Sequence, residues 1–126
     1  MTVDFDEYQQ HADRTSARRG FTLYNTEPPL TPEKNFSFVT RLAAAGLGLV
    51  GEGGEVSEHL KKWLTHGHSL NAQVIEKELG DVLYYIAEIA TTLNLSLNSI
   101  AENNIDKLRK RYGEKFSTEK SINRKE

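Results

Sequence analysis

The sequence contains no cysteine, which excludes disulfides and thiolate metal sites. Its three prolines, Pro28, Pro29 and Pro32, fall in one stretch, so regular structure is broken chiefly across residues 20–34. No apolar run is long enough to span a membrane, and residues 1–8 are acidic, without the charged-then-apolar order of a signal peptide. The expectation is a cytoplasmic chain with no membrane partner. Net charge is small, at −2, which argues against a general binder of nucleic-acid polymers. Alternation of period two is missing, so no strand is expected, and no repeat of solenoid length occurs. A Walker-type phosphate loop is absent. Gly46, Gly48 and Gly51 match the spacing of a dinucleotide fingerprint, but a helical segment precedes them where a strand is required. Glu52 and Glu55 follow where a phosphate would sit, so the match is rejected.

What is present reads as a single domain over residues 1–126, a length that suits one core. Its main body lies at about 36–116, followed by a polar, frayed tail at 117–126. The charge is unevenly spread: from Lys107 onward there are 8 basic and 3 acidic residues, and before it 8 basic and 15 acidic. An acidic body with a basic end suits metal ions in one place and phosphates in another, although a solvated tail is the commoner cause. Caps, stops and apolar spacing predict helices over 4–19, 36–64, 71–93 and 97–112. The fold class is therefore all-α, an antiparallel bundle of about four helices.

Helical wheels at about 100° per residue give the sharpest pattern. On the second helix, Val39, Leu42, Leu49, Val56, Leu60, Trp63 and Leu64 form an apolar arc, with Glu52, Glu55, His59 and Lys62 along one flank. On the third helix, Ile75, Leu79, Val82, Leu83, Ile86, Ile89 and Leu93 form the arc, with Glu78, Asp81, Tyr85 and Glu88 along the flank of the same hand. The short link at 65–70 favours an antiparallel hairpin, which sends equal-handed flanks to the same side. Glu52, Glu55, Glu78 and Asp81 should then share one seam. Carboxylates so placed repel one another unless a cation lies between them, and oxygen-only ligands select Mg²⁺, or Mn²⁺ as a substitute, over zinc. On the fourth helix Asn104, Lys107 and Arg111 take the corresponding flank. A short link turns them toward the carboxylates, an arrangement suited to phosphoryl chemistry.

Five glycines, Gly46, Gly48, Gly51, Gly53 and Gly54, crowd the second helix at a cost of about 0.8–1 kcal/mol each. On the wheel Gly48 and Gly51 leave room for ions and ligand, while Gly46 and Gly53 permit close helix contact; a break in the helix here is the other reading. Any one Glu pair at spacing three is most often a solvated face, so the argument rests on two pairs at matching flanks. His66 and His68 read as solvent-exposed turn residues, and His59 as a cleft residue. Tyr85 is a candidate to stack on a base, whereas Trp63 reads as core. Lys62 has the better angle for a phosphate than Lys61.

The stretches Gly48-Leu-Val-Gly51-Glu52-Gly-Gly-Glu55-Val-Ser-Glu58, Glu78-Leu-Gly80-Asp81-Val-Leu-Tyr84-Tyr85 and Asn104-Ile-Asp-Lys107-Leu-Arg-Lys-Arg111-Tyr112 resemble the MazG-like nucleoside triphosphate pyrophosphohydrolases, over about 36–116. Tyr8-Gln9 also resembles the opening of short members. The resemblance implies hydrolysis of a (d)NTP to a (d)NMP and pyrophosphate, for nucleotide-pool clean-up or control. It assigns Mg²⁺ to Glu52, Glu55, Glu78 and Asp81, and substrate phosphates to Asn104 and Lys107 with help from Arg111. It also implies a homodimer or homotetramer with sites near subunit contacts. The fuller family motif carries a further glutamate where this chain has Gly51, and Glu55 is then the candidate to activate the water. Two alternatives stand beside this reading: a phosphoribosyl-ATP pyrophosphatase using the same seam, and a catalytically inactive helical dimerisation or regulatory module, which Gly51 favours. Base selection is expected from the first helix and residues 20–34.

Overall fold

A computed structural model of the chain describes residues 2–113 and 117–124. Five α-helices run in the order α1 (Phe5–Arg14), α2 (Phe36–His66), α3 (Ala72–Thr92), α4 (Leu97–Tyr112) and α5 (Thr118–Ile122), with a 3₁₀ turn at Leu23–Asn25. No strand occurs among the described residues, as the missing period-two pattern requires. Helix starts follow from short polar caps. Asp4 accepts from the Glu7 amide, Asn71 from those of Gln73 and Val74, and Ser96 from that of Ser99, each satisfying a donor the first turn leaves open. The long helix stops at Gly67, whose left-handed backbone (φ 71°) turns its amide back to the Lys62 carbonyl. The glycine-rich stretch does not interrupt α2, which is continuous for 31 residues.

α2 and α3 form an antiparallel hairpin, and α1 packs on its α3 side. Its register can be followed from the turn inward by three cross-helix pairs: His59 with Glu78, Gly48 with Tyr85, and Arg41 with Glu88. Arg41 is fully buried, and its Nη2 donates to Glu88 Oε1 at 2.7 Å and to Asp13 Oδ1 at 2.8 Å. Ser16 caps the other Glu88 oxygen at 2.8 Å. One guanidinium thus joins α2 to α3 and to α1. Burial alone would lower its pKa, but the hydrogen bonds it donates to Glu88 and Asp13, with their negative charges, hold it above the ordinary arginine value. α1 also fixes the α3–α4 turn. The Gln9 amide donates to Thr91 Oγ1 and the Leu95 carbonyl and accepts from the Leu97 amide, while Asp6 accepts from Ser96 Oγ and the Asn98 amide.

Four expectations from the sequence change. The first helix ends at Arg14 rather than residue 19, because Thr15 turns its amide and hydroxyl onto the Ala12 carbonyl and Ser16 is drawn to Glu88. The tail carries a helix, α5, capped by Ser117; residues 114–116 and 125–126 of the expected core end and tail lie outside the described residues. Trp63 is 44% exposed and not core. Finally, α4 packs on α1 and α5 and does not run along α3, because Asp6 and Gln9 tie its first turn to α1.

The inward face of α2 is also rotated from the predicted arc. Phe38, Arg41 and Ala45 are buried, while Leu47, Val50 and Leu64 are each at least 70% exposed. The helix therefore has two apolar faces, and only one is used within the protomer.

Removal of one partner from a buried ion pair leaves the other charge stranded, at about 3–5 kcal/mol. Arg41→Ala is expected to lower the unfolding free energy by about that amount, while Lys61→Ala, on an exposed pair with Glu58, changes it by less than about 1 kcal/mol. Urea unfolding of the two variants measures the difference.

Candidate metal centre

The groove between α2 and α3 becomes acidic about halfway along. Glu52, on the same stripe as Ala45 and Gly48, projects from α2; Glu78 and Asp81, three residues apart, project from the facing turn of α3. One carboxylate oxygen from each lies within 4.8 Å of the others. Among the described residues no ion pair reaches Glu52 or Asp81. Burial raises the pKa of Glu52, and the charges of Asp81, Glu78 and Glu55 raise it further, together with the hydrogen bond that protonated Glu52 donates to Glu78. Glu55 is exposed, one turn further along α2, and shares a second group with His59 and Glu78, again within 4.8 Å. The hairpin thus brings all four predicted carboxylates to one seam, divided into two groups that share Glu78. Two such groups can hold divalent cations. The donors of the first are all oxygen, which fits a hard ion.

Tyr85 lies beside this seam, but its place differs from the one foreseen. A Cβ built on Gly48 would meet the Tyr85 ring at 2.3 Å, so Gly48 admits the ring and does not leave room for an ion. Tyr84 meets Tyr85 edge-on at 5.4 Å. Gly51 has open space around it, and so do Gly46 and Gly53, which contact no helix within the protomer. Lys62 is half-buried, 3.9 Å from Glu58, and lines a recess of about 140 Å³ with His59 and His68 at the α2–α3 turn.

Asn104 and Lys107 are exposed on α4 and Arg111 is half-buried there. No hydrogen bond or ion pair joins Asn104 or Lys107 to a seam carboxylate among the described residues, and Arg111 lines a cleft with Lys110, Lys120 and Arg124 instead. These three residues thus sit on a helix whose main packing partners are α1 and α5. The loop at 20–34 is also remote. It borders a cleft of about 660 Å³ with Phe36 and Phe38, and Phe38 stands about 21 Å along α2 from Glu52 at the helical rise. Two contributors escaped the sequence reading. Arg41 fixes the hairpin register, and its signal was a lone cation on the line of Phe38 and Ala45. Tyr8 of α1 is half-buried, and burial, then Tyr84 and Asp81, hold its phenol above the usual range, so a neutral hydroxyl stands near Asp81.

Comparison with known proteins agrees with this arrangement. The family model described as "MazG nucleotide pyrophosphohydrolase domain" matches residues 42–116, more than half of the chain and the whole of the α2–α3 seam. The chain belongs to that family. It is also 35% identical over 74 residues to the Gene 37 protein of Mycobacterium phage L5, a match covering 56% of this chain and 65% of that protein. The matched region thus spans less than two thirds of that relative. No solved structure matches.

The raised Glu52 carboxyl has a definite consequence for stability. The folded state holds this proton more tightly than the unfolded chain, whose value is near 4.5. As pH rises from 4.5 through the raised folded value, folding stability falls. Without divalent cations, Glu52→Gln is expected to unfold at a higher temperature than wild type at neutral pH and to lose less stability across that window. Thermal unfolding in EDTA over a pH series shows this; identical curves for the two proteins would mean that the carboxylates do not repel one another.

Proposed function

We propose that this chain is a Mg²⁺-dependent nucleotide pyrophosphohydrolase that converts a (d)NTP to a (d)NMP and pyrophosphate, in the cytoplasm, for clean-up or control of the nucleotide pool. The observation that carries the proposal is the group formed by Glu52, Glu78 and Asp81, three oxygen donors in mutual reach with no protein cation among them. Mg²⁺ bound there, or Mn²⁺ in its place, supplies charge neutralisation for the phosphate oxygens and acidifies a water. Glu52, Glu55, Glu78 and Asp81 are the residues that would hold it.

The chain's own groups then divide the remaining work. Glu55 is exposed beside the seam, so it is assigned to accept the proton of the attacking water. That water's oxygen bonds to the α-phosphorus, the bond to the β-bridging oxygen breaks, and pyrophosphate leaves with its electron pair. Lys62, at the mouth of the recess beside His59, neutralises the departing phosphates. Tyr85, braced against Gly48 and Tyr84, offers an aromatic edge to the base. Gly51 replaces the family's further glutamate at an open position, which leaves the Glu52, Glu78 and Asp81 group intact and weakens the case for an inactive module.

Assembly supplies what one protomer lacks. α4 meets its own hairpin through Leu97 in its first turn, and a second copy that brings its α4 to the seam is the route by which Asn104, Lys107 and Arg111 would reach substrate phosphates. The exposed apolar face of α2, with Leu47, Val50 and Leu64, is the surface that such a copy would cover in a homodimer or homotetramer. Residues 1–126 then act as a single-domain unit.

The test is pyrophosphate release from a panel of canonical and modified nucleoside triphosphates and phosphoribosyl-ATP. Release from triphosphates with Mg²⁺ is expected, to be abolished by EDTA and reduced about a hundredfold or more in Asp81→Ala. Turnover of phosphoribosyl-ATP alone would replace the substrate assignment, and no turnover of any compound by a folded protein would sink the enzyme reading. Sedimentation provides a separate check on assembly: Leu47→Glu with Val50→Glu is expected to convert the oligomer to a monomer with lower activity, and a wild-type monomer would remove the role given to a second α4.

A further inference from the structure

The basic end of the chain folds back on itself. Lys110 and Arg111 close α4, while Lys120 and Arg124 come from α5 and just beyond it, yet all four border one cleft of about 540 Å³. The chain turns between the two helices at Gly113, whose positive φ of 67° glycine adopts without strain. Its missing side chain also leaves the space that Lys120 Nζ takes, 3.1 Å from where a Cβ would stand. Lys120 Nζ donates to the Tyr112 carbonyl at 2.9 Å, which anchors the ammonium at the cleft wall with two of its three N–H donors to spare. The helix dipole explains basic residues in the last turn of α4. It does not explain Lys120 and Arg124, which a separate helix brings to the same end. Among the described residues Glu119 is the one carboxylate in the cleft, and no ion pair reaches Lys110, Lys120 or Arg124. Ser117 and Asn123 add neutral donors. No aromatic or aliphatic residue lines the cleft among the described residues, so nothing there reads a base or an acyl chain.

We infer that the α4–α5 cleft is a metal-independent site for a linear polyphosphate group, held by Lys110, Arg111, Lys120 and Arg124. Its volume falls in the range of small-ligand sites, about 300–1,000 Å³, which leaves room for several phosphate groups. Guanidinium forks and ammonium charges both match phosphate oxygens, and cations spread over two helices suit a chain of phosphates better than a single one. The ligand is a free chain, pyrophosphate or longer, or the triphosphate of a nucleotide; both present the same oxygens. Lys120 and Arg124 lie beyond the family match at residues 42–116, so this half of the cleft is outside the region the family accounts for. Arg111 is the one residue shared with the phosphate contacts proposed above for a second copy. The site does not depend on the carboxylate seam, although its ligand class includes the pyrophosphate that the proposed reaction releases.

The probe is tripolyphosphate, titrated by calorimetry into the full chain in EDTA, where no metal can bridge a polyanion to the carboxylates. Saturable binding is expected, tighter for tripolyphosphate than for pyrophosphate, tighter for pyrophosphate than for orthophosphate, and weaker as salt is raised. Lys120→Gln and Arg124→Gln are each expected to weaken it about tenfold, with far-UV circular dichroism unchanged, and Lys61→Gln to leave it as in wild type. Arg124 holds no hydrogen bond or ion pair among the described residues, so its variant removes a charge without removing a contact of the fold. ATP and UTP that bind as tightly as tripolyphosphate would assign the site to the phosphate chain of nucleotides, and binding of the free chain alone would assign it to inorganic polyphosphate. Absence of saturable binding in EDTA, orthophosphate binding as tight as that of tripolyphosphate, affinity unchanged in Arg124→Gln, or tighter binding of a single-stranded oligonucleotide would each overturn the inference. Turnover is read separately. An active enzyme that ignores tripolyphosphate in EDTA would lose this site alone, and an inert protein that binds it would lose the hydrolase reading alone.

Discussion

Charge inside the α2–α3 groove sets the terms for the rest of the molecule. A charged side chain taken from water costs several kcal/mol unless a partner meets it, and this groove holds charge at two levels. At one end Arg41 is met by Glu88 and Asp13, so the cost is offset within the protomer, and the same contact fixes the register of the hairpin. Halfway along, Glu52, Glu78 and Asp81 crowd together, and among the described residues no lysine or arginine pairs with them. Since register couples the two levels, the pairing that neutralises Arg41 is also the one that crowds the carboxylates. The scaffold is thereby stabilised at one end against a repulsion that it maintains in the middle, where an external cation can relieve it.

The same division appears in the apolar surface. The buried core is made largely of small side chains, Ala12, Ala87, Ala90 and Leu97, while large ones such as Leu47, Val50 and Leu64 stay in solvent. Small side chains let α1, α2 and α3 approach closely but bury little area each, and at about 25 cal/mol per Å² of apolar surface they contribute modestly. A helix of 31 residues with its bulkier residues outside is a poor independent unit and a good half of an interface. The proposed second copy answers two needs together: it covers this face, and it offers an α4 to the seam.

Much of this was legible in the sequence because it depends on helical periodicity and on the length of one link. Glu52, Glu55, Glu78 and Asp81 could be set on one seam from spacing and from an antiparallel turn alone. The inward direction of α2 was misjudged by part of a turn, because the arc of Leu60, Trp63 and Leu64 was taken as the core when those residues belong to the exposed side. A wheel shows where apolar residues cluster but not whether one or two neighbours cover them. The path of α4 was missed for a related reason. Asp6 and Gln9, polar residues on α1, tie its first turn, and hydrogen bonds that join these side chains to groups some 90 positions away leave no periodic trace. His59 beside Glu78 was visible as a cleft residue, but its distance from that carboxylate was not.

The glycines of α2 join these strands. Each costs about 0.8–1 kcal/mol against alanine in a helix interior, so five of them are a serious load on a helix that the protein nevertheless keeps intact. Among the described residues, Gly48 is the one glycine of α2 whose neighbour, the Tyr85 ring, requires it. Gly46, Gly51, Gly53 and Gly54 meet nothing, and alanine could replace them with a gain in helix stability if the protomer were the whole functional unit. Gly51 borders Glu52 on the seam, while Gly46 and Gly53 share the uncovered face with Val50 and Leu64. Their placement follows the two surfaces at which the proposed function brings in something from outside, a phosphate-bearing ligand on one and a second copy on the other. A cost spread along both of these surfaces, with one compensating contact inside the chain, is what a helix built to be approached closely by other molecules would carry.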